Sequence, residues 1–391
     1  MKPERYQAPE FGSAEKRLGD PNGFWYFRPK PILRTLEYSP ATIQALSLAD
    51  AALGQLSGFG HLIKDPQLLI GPYITREALA SSRIEGTQAS LSDVLQANAG
   101  GEPNLSDPDI AEVNSYIAAT YRGLELLREL PISQRLVLKV HEILLSGVRG
   151  QTKLPGEFRS SPVWVGSPTD TPDNALFVPP LPELIPELIS DWEFFLNDRS
   201  AIPTLVKCAL MHYQFETIHP FLDGNGRIGR LLVGLLLIRE NRIAAPLLYL
   251  SGYLESHRQE YYDRLQAVRE KGEVQEWLQF FLTAVRRQAE DGVSRARQLV
   301  DLRERYIQEA AQARSRVGEL VALMFANPFI TAANVESVLG VTNQGARNLI
   351  KDAESRGWLQ IIGVQSRGRR SYWVAMDVLR IVESQPNYVS E

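Results

Sequence analysis

The segment His219-Pro220-Phe221-Leu222-Asp223-Gly224-Asn225-Gly226-Arg227-Ile228-Gly229-Arg230 constrains this chain more than any other. Before it, Leu205, Val206, Ala209, Leu210 and Tyr213 recur at helical spacing. Pro220 cannot continue that helix, because its ring lacks the amide N–H and clashes with the preceding turn. After it, the run from Ile228 to Ile238 is strongly apolar and reads as a buried helix. The segment is therefore a loop that opens a helix. Gly224 and Gly226 can take left-handed backbone angles without a Cβ penalty. Successive amides in such a turn point inward as an anion nest, and the helix behind it adds its positive end. Arg227 and Arg230 share one face of the first turn and can fork onto phosphate oxygens. The whole is shaped for a polyphosphate.

Each side chain suggests a role. Asp223 is a hard oxygen ligand beside the nest, suited to Mg2+ bridging phosphates. His219 titrates near neutrality and can take a proton from an attacking hydroxyl. Phe221 is expected to pack inward and anchor the loop. Asn225 can bond a phosphate or brace the turn. Taken singly, each has an ordinary reading: a histidine cap, a plain turn, surface arginines. Their coincidence in this order is what argues against those readings.

At these residues the chain resembles the Fic family, whose signature is His-Pro-Phe-x-Asp/Glu-Gly-Asn-Gly-Arg-x-x-Arg. Every specified position is matched between His219 and Arg230. The resemblance implies a mainly helical, Fic-type core and transfer of AMP from ATP to a protein hydroxyl. It implies that His219 is the base and Asp223 holds Mg2+. It also implies that Gly224, Asn225, Gly226, Arg227 and Arg230 hold the triphosphate. Relatives that transfer phosphate, other nucleotides or phosphocholine exist, so the motif leaves the donor open.

Composition narrows the setting. With 391 residues and 44% hydrophobic content the chain can build two or three cores. A net charge of −4 argues against a global nucleic-acid binder. One cysteine, Cys208, excludes an internal disulfide framework and fits a reducing cytosol; it reads as a core residue. No apolar leader stands at the start, and the run Leu231 to Ile238 is far short of the ~20 residues a membrane span needs. A cytoplasmic protein without membrane contact is expected.

Along the chain, residues 1–40 read as an irregular arm rich in Pro, Gly and aromatics. Helices are expected over 41–54, about 75–85, 110–130 and 132–145. The prolines at 155, 162, 168, 172, 179 and 180 forbid long helices between 150 and 182. Within that zone Val163-Trp164-Val165-Gly166 and Leu176-Phe177-Val178 read as two short strands. With Gly156-Glu157-Phe158-Arg159 before them, they resemble the family's flap. An exposed strand edge there could dock a protein substrate through backbone hydrogen bonds; Arg159 could contact phosphate or merely solvate the loop. Helices resume from 184 to about 289, and a charged stretch from 286 to 312 could bridge domains. The expected organisation is an N-terminal region over 1–108, the core over 109–290, a linker helix over 291–316 and a C-terminal domain over 317–391. Trp277, Phe280 and Phe281 look like core; Tyr253, Tyr261 or Tyr262 could pack there or line an adenine pocket.

Ser81-Ser82-Arg83-Ile84-Glu85-Gly86 is the second informative segment. Ser81 and Glu85 stand at i and i+4 on one helix face, and Gly86 supplies a stop. The pattern resembles the family's inhibitory motif, Ser/Thr-x-x-x-Glu-Gly/Asn. That resemblance implies that Glu85 reaches Arg230 and takes the arginine that should hold the γ-phosphate, leaving the α-phosphate misaligned for in-line attack.

From Val317 the pattern changes. Thr331 caps a short helix to Leu339, Thr342 caps a second to about Ser355, and 357–362 and 371–374 read as strands. This is a winged helix-turn-helix pattern. Arg347 and Lys351 fall on its recognition helix, and Arg367, Arg369 and Arg370 on the wing tip, which would suit a phosphate backbone. Asp352, Glu354 and the overall pI of about 5.9 weigh against DNA, and such modules also serve as protein-interaction or homodimer units. The reading reached is a self-inhibited adenylyltransferase using ATP and Mg2+ on a Ser, Thr or Tyr hydroxyl, its own chain included. Its rivals are removal of AMP by the same site, with Glu85 positioning a water, and a DNA-binding regulator that senses nucleotide.

Overall fold

The computed structural model describes residues 1–17, 23–62, 67–99, 107–167, 169–199, 201–313, 315–364 and 371–384. The N-terminal stretch differs from the irregular arm expected. β1 (Gly12–Lys16) and β2 (Trp25–Pro29) form an antiparallel ladder in which Ala14 faces Phe27. Trp25, Tyr26 and Phe27 are strong strand formers, and burying Tyr26 and Phe27 beside Phe177 and Val178 makes a small second core.

Helices then follow in order: α1 (Pro40–Leu62), α2 (Gln67–Ile84), α3 (Leu91–Asn98), α4 (Pro108–Leu126) and α5 (Gln134–Leu145). Next come α6 (Ile185–Asn197), α7 (Thr204–Ile218), α8 (Asn225–Arg239), α9 (Leu250–Ser256), α10 (Arg258–Lys271) and α11 (Val274–Ala311). α1 extends beyond its expected end, α2 begins before its expected start, and α3 was not anticipated. Ser90 starts α3 with a capping box, its hydroxyl accepting from the Asp93 amide. Every residue of α7 from Leu205 to Ile218 is buried. A helix buried all round belongs at the centre of a bundle, and α7 packs there against α6, α8 and α11. The motif loop thus joins two central helices. α11 runs unbroken from 274 to 311, across the expected boundary at 290. Its buried Trp277, Phe281, Val285, Ala289, Gly292, Ala296 and Leu299 recur at helical spacing, and α11 as a whole packs chiefly on α1.

The two strands expected between 163 and 178 are not formed; a single bridge pairs Val165 with Phe177. Proline has no amide to donate, and Pro162, Pro172, Pro179 and Pro180 leave no room for a longer ladder. A hydrogen bond of 2.8 Å from the Phe27 amide to the Val178 carbonyl holds this segment against β2.

The C-terminal part comprises α12 (Gly318–Ala326), β3 (Phe329–Ile330), α13 (Ala332–Leu339), α14 (Asn343–Ser355), β4 (Gln360–Val364), β5 (Ser371–Val374) and α15 (Met376–Glu383). Its antiparallel sheet has the order β3-β5-β4. Thr331 and Thr342 cap α13 and α14 as expected, each accepting from the amide three residues on. Asn343, Gln344, Arg347, Asn348 and Lys351 are exposed on α14. Arg367, Arg369 and Arg370 lie outside the described residues. Among the described residues no helix is long and apolar enough to cross a membrane.

Trp277 is fully buried and its indole donates to the Ala209 carbonyl on α7 at 3.1 Å. Trp277→Ala is expected to destabilise the protein by ~3–5 kcal/mol, read as a shift of the urea midpoint.

Candidate active site

α7 ends at Ile218, and His219 caps it in the left-handed region at φ 49°. That conformation is strained for a residue with a Cβ and persists only where its surroundings over-determine it. Arg159 does this. Its Nε donates to the His219 carbonyl at 2.8 Å, and its Nη2 to the carbonyls of Pro180 at 2.6 Å and Ile218 at 3.4 Å. The Arg159 amide also donates to the Pro220 carbonyl. Arg159 neither meets the cleft nor solvates the loop; it is 2% exposed and acts as a buried cationic cap on α7.

The loop is braced from below. Phe221 is fully buried, as anticipated, and stacks on His141 at 3.6 Å with an interplanar angle of 9°. The Gly156 amide donates to His141 Nδ1 at 2.9 Å. His141 Nε2 therefore carries the proton and donates to the Asp223 carbonyl at 3.0 Å. Asn225 proves to be a turn brace. Its amide group donates to the Phe221 carbonyl at 2.9 Å, and its Oδ1 accepts from the Phe221 amide at 2.8 Å. His141 and Arg159 are functional supports whose sequence positions carry no local signal.

Gly224 takes φ 80° and starts α8. Gly226 does not use the left-handed freedom expected of it; it lies within α8. Its reason is steric: a Cβ there would press on Glu85 Oε1 and lie 2.8 Å from Arg230 Nη1. Arg227 is 4% exposed and pairs with Asp223 Oδ1 at 3.0 Å.

Arg230 is 2% exposed. Nε donates to the Ser81 hydroxyl at 2.9 Å, and Nη2 to the Ser81 carbonyl at 2.9 Å and to Glu85 Oε1 at 2.7 Å. α2 thus brings Ser81 and Glu85 across more than a hundred residues onto the last arginine of the motif, with Gly86 at φ 107° turning the chain away. Desolvation, complete for Arg230 and partial for Glu85, works against both charges. Each outweighs it for the other, so Glu85 is held below the usual carboxylate range and Arg230 more firmly protonated than usual.

A line of titratable groups runs under the site on one face of α7: His212, Glu216 and His219. Glu216 Oε2 is 4.0 Å from His219 Nδ1. His212 Nε2 meets the Tyr261 hydroxyl at 2.8 Å, which places Tyr261 in the core. Burial pushes His212 down to about 3. Burial, then Arg159 and Arg269, push His219 down to about 4. Burial also lowers His141 to about 4, and it raises Glu216 and Glu77 to about 7. At neutral pH His219 is an unprotonated imidazole.

Two descriptions match the chain: "Fic/DOC family N-terminal" over residues 43–125 and "Fic/DOC family" over 131–237. The second spans the site just described. The chain belongs to the Fic/DOC family. It is 28% identical over 173 residues to a probable protein adenylyltransferase of Aquifex aeolicus, covering 42% of this chain and 48% of that one. It is 33% identical over 158 residues to the protein adenylyltransferase Fic of Aedes aegypti, covering 40% of this chain and 28% of that one. The chain thus spans less than half the length of these curated relatives. A Fic family protein from Desulfovibrio desulfuricans has the same fold, with a TM-score of 0.58 at 22% identity over 88% of this chain and 98% of that one.

The opposed shifts under this Fic site have a measurable consequence. The three histidines bind protons more readily unfolded than folded between about 4 and their ordinary 6.5, so their contribution is full above 6.5 and lost as pH falls. Glu216 and Glu77 hold protons in the folded state between their ordinary 4.5 and about 7. Their contribution is full below 4.5 and lost as pH rises through 7. Glu216→Gln removes one opposing group. Between pH 6.5 and 5, its urea midpoint is expected to fall more steeply than that of the wild type. Parallel curves would mean that Glu216 is ionised in the folded protein.

Proposed function

We propose that this chain is a self-inhibited protein adenylyltransferase that moves AMP from ATP to a Ser, Thr or Tyr hydroxyl of a protein, its own chain included. The observation that carries the reading is the capture of Arg230 by Ser81 and Glu85 beside a neutral His219 and the Gly224 turn. The relatives named protein adenylyltransferase support it. In this reading the phosphates lie on the first amides of α8 and against Arg227. The His219 imidazole takes the proton of the acceptor hydroxyl as its oxygen attacks the α-phosphorus. The bond from that phosphorus to the pyrophosphate oxygen breaks, and pyrophosphate leaves. Arg230 would receive the γ-phosphate, but it is bound to Glu85.

The donor set fits Mg2+. Asp223 is a single carboxylate, 40% exposed, and among the described residues no group of three or more His, Cys, Asp or Glu could hold a metal alone. One carboxylate completed by phosphates and water is the usual arrangement for Mg2+. When bound, the ion would neutralise phosphate charge. The segment from 156 to 178 is the proposed docking place for the target, supported by exposed Trp164 and Leu176 on either side of its single bridge.

Transfer of label from ATP to protein, followed by mass spectrometry, tests this. Glu85→Gly is expected to label at least ~10-fold more than wild type, the size of one charge-assisted hydrogen bond. His219→Ala is expected to bind ATP yet lose roughly 10²–10⁴ of the rate. Excess EDTA and Asp223→Ala are each expected to abolish labelling, and full activity in EDTA rules out the metal role. If Glu85→Gly folds and binds ATP but labels no better than wild type, the brake is wrong. Glu85 is 37% exposed and so open to water, which favours hydrolysis of AMP-protein as the next reading; release of AMP from pre-labelled protein would then measure it.

A further inference from the structure

α2 has two working faces. Ser81 and Glu85 look toward the site, and Arg76, Leu79 and Arg83 look the opposite way, into a second cavity. That cavity, of about 420 Å³, is walled by α2, the start of α3 at Ser90 and Leu91, α9 with Tyr249 before it, and Glu383 and Ser384 at the end of α15. Its wall mixes polar and apolar surface, and none of its lining residues belongs to the loop from His219 to Arg230.

Arg76 is its unusual feature. The residue is 7% exposed, and its guanidinium lies over the Tyr249 ring at 4.3 Å. Nη1 is buried without a hydrogen-bond partner. Its nearest carboxylate, Asp291, is 3.8 Å away. Asp291 is already taken by Arg295, which donates to both its oxygens at 2.7 and 2.8 Å. A buried guanidinium with so little compensation is costly. Burial accordingly pushes its pKa down. Nη1 itself is sealed from the cavity on the side of Asp291, so an oxyanion in the cavity would compensate the charge through a forked charge-assisted bond to Nε and Nη2. Arg83 is better placed already, donating to the Ala89 carbonyl and standing 3.8 Å from Glu255. Glu255 and Glu383 at the wall favour a ligand that carries a donor beside its oxyanion.

We propose that this cavity receives a small ligand bearing a carboxylate or phosphate group, held by Arg76 from behind the helix that carries Ser81 and Glu85. Such a ligand ties α2 to α9 and α15 in the position seen here. It therefore favours the state in which Arg230 is captured; this second consequence rests on the reading of Glu85 as a brake.

The test titrates inorganic phosphate, and separately acetate, into the full chain at constant ionic strength, with binding read by calorimetry and by melting temperature. Phosphate, whose P–O–H can donate to Glu255, is expected to bind saturably with roughly millimolar Kd. Arg76→Gln is expected to weaken that site at least ~10-fold. Ser256→Trp, which fills the mouth from exposed Ser256, should do the same without touching the buried arginine. The Gly224 turn also takes phosphate, so the loss of one site in these variants, with the site sensitive to Arg227→Ala retained, identifies the cavity. Saturable binding of acetate but not phosphate marks a carboxylate receptor; the reverse marks a phosphate receptor. No saturable site for either anion, or equal binding in Arg76→Gln and Ser256→Trp, overturns the proposal. The coupling is read separately, at ATP concentrations that keep phosphate off the Gly224 turn: the anion bound in the cavity is expected to lower label transfer in wild type and leave Glu85→Gly unchanged. Binding without that difference leaves a receptor uncoupled from the brake, and binding without any label transfer indicts the transferase reading alone.

Discussion

A buried guanidinium governs the arrangement. Arg230 is 2% exposed at the start of a central helix, and a charge in that setting must be paired where it stands. Its partners come from α2 rather than from its own neighbourhood: one hydroxyl, one carbonyl and one carboxylate, all within 2.9 Å. The position of α2 is thus specified by hydrogen-bond geometry as well as by apolar contact with α4 and α9. Gly226 follows from the same pairing, because the space that its missing side chain leaves is occupied by the Glu85 carboxylate.

The second constraint is the left-handed His219. Strain of about 1–3 kcal/mol at such a residue is offset by independent supports. Arg159 fixes the carbonyls around it, the Phe221–His141 stack fixes the floor, and Asn225 ties both ends of the turn. These groups place the imidazole at the cleft while Gly224 opens the next helix. The result is a loop rigid before any ligand arrives, the condition under which positioned groups are effective.

What could be read from the chain was what is local. The motif from His219 to Arg230 carries its loop, its helix start and its charges in twelve consecutive residues, and Phe221 and the caps at Thr331 and Thr342 behave as their residue types demand. The braces were not legible in the same way. Arg159 and His141 are single polar residues on distant elements, and nothing in their neighbourhood says that their targets are carbonyls of the motif loop. Gly226 looked like a second turn glycine because the atoms it avoids belong to residues 85 and 230. The expected strands at 163–166 and 176–178 had the right side chains and too few amides. The aromatic N-terminal residues looked irregular because their partner strand, Gly12–Lys16, is short and polar.

The strength of the α2 contact follows from magnitudes. Moving a two-state element from one hundredth to ninety-nine hundredths populated takes about 5.5 kcal/mol. A single charge-assisted hydrogen bond contributes about 1.5–3 kcal/mol. The Glu85–Arg230 pair alone is therefore too weak to hold α2 almost completely in place, and its Ser81 bonds and the packing of α2 against α4, α9 and α12 must supply the rest. The opposite face of α2 contains Arg76, a buried cation whose Nη1 has no hydrogen-bond partner and whose carboxylate stands 3.8 Å away. If Glu85 is the proposed brake, a change of a few kcal/mol at either face would be enough to alter the population at the other, because one helix carries both. Control of such an element needs no large rearrangement, only a charge matched or left unmatched on the side away from the chemistry.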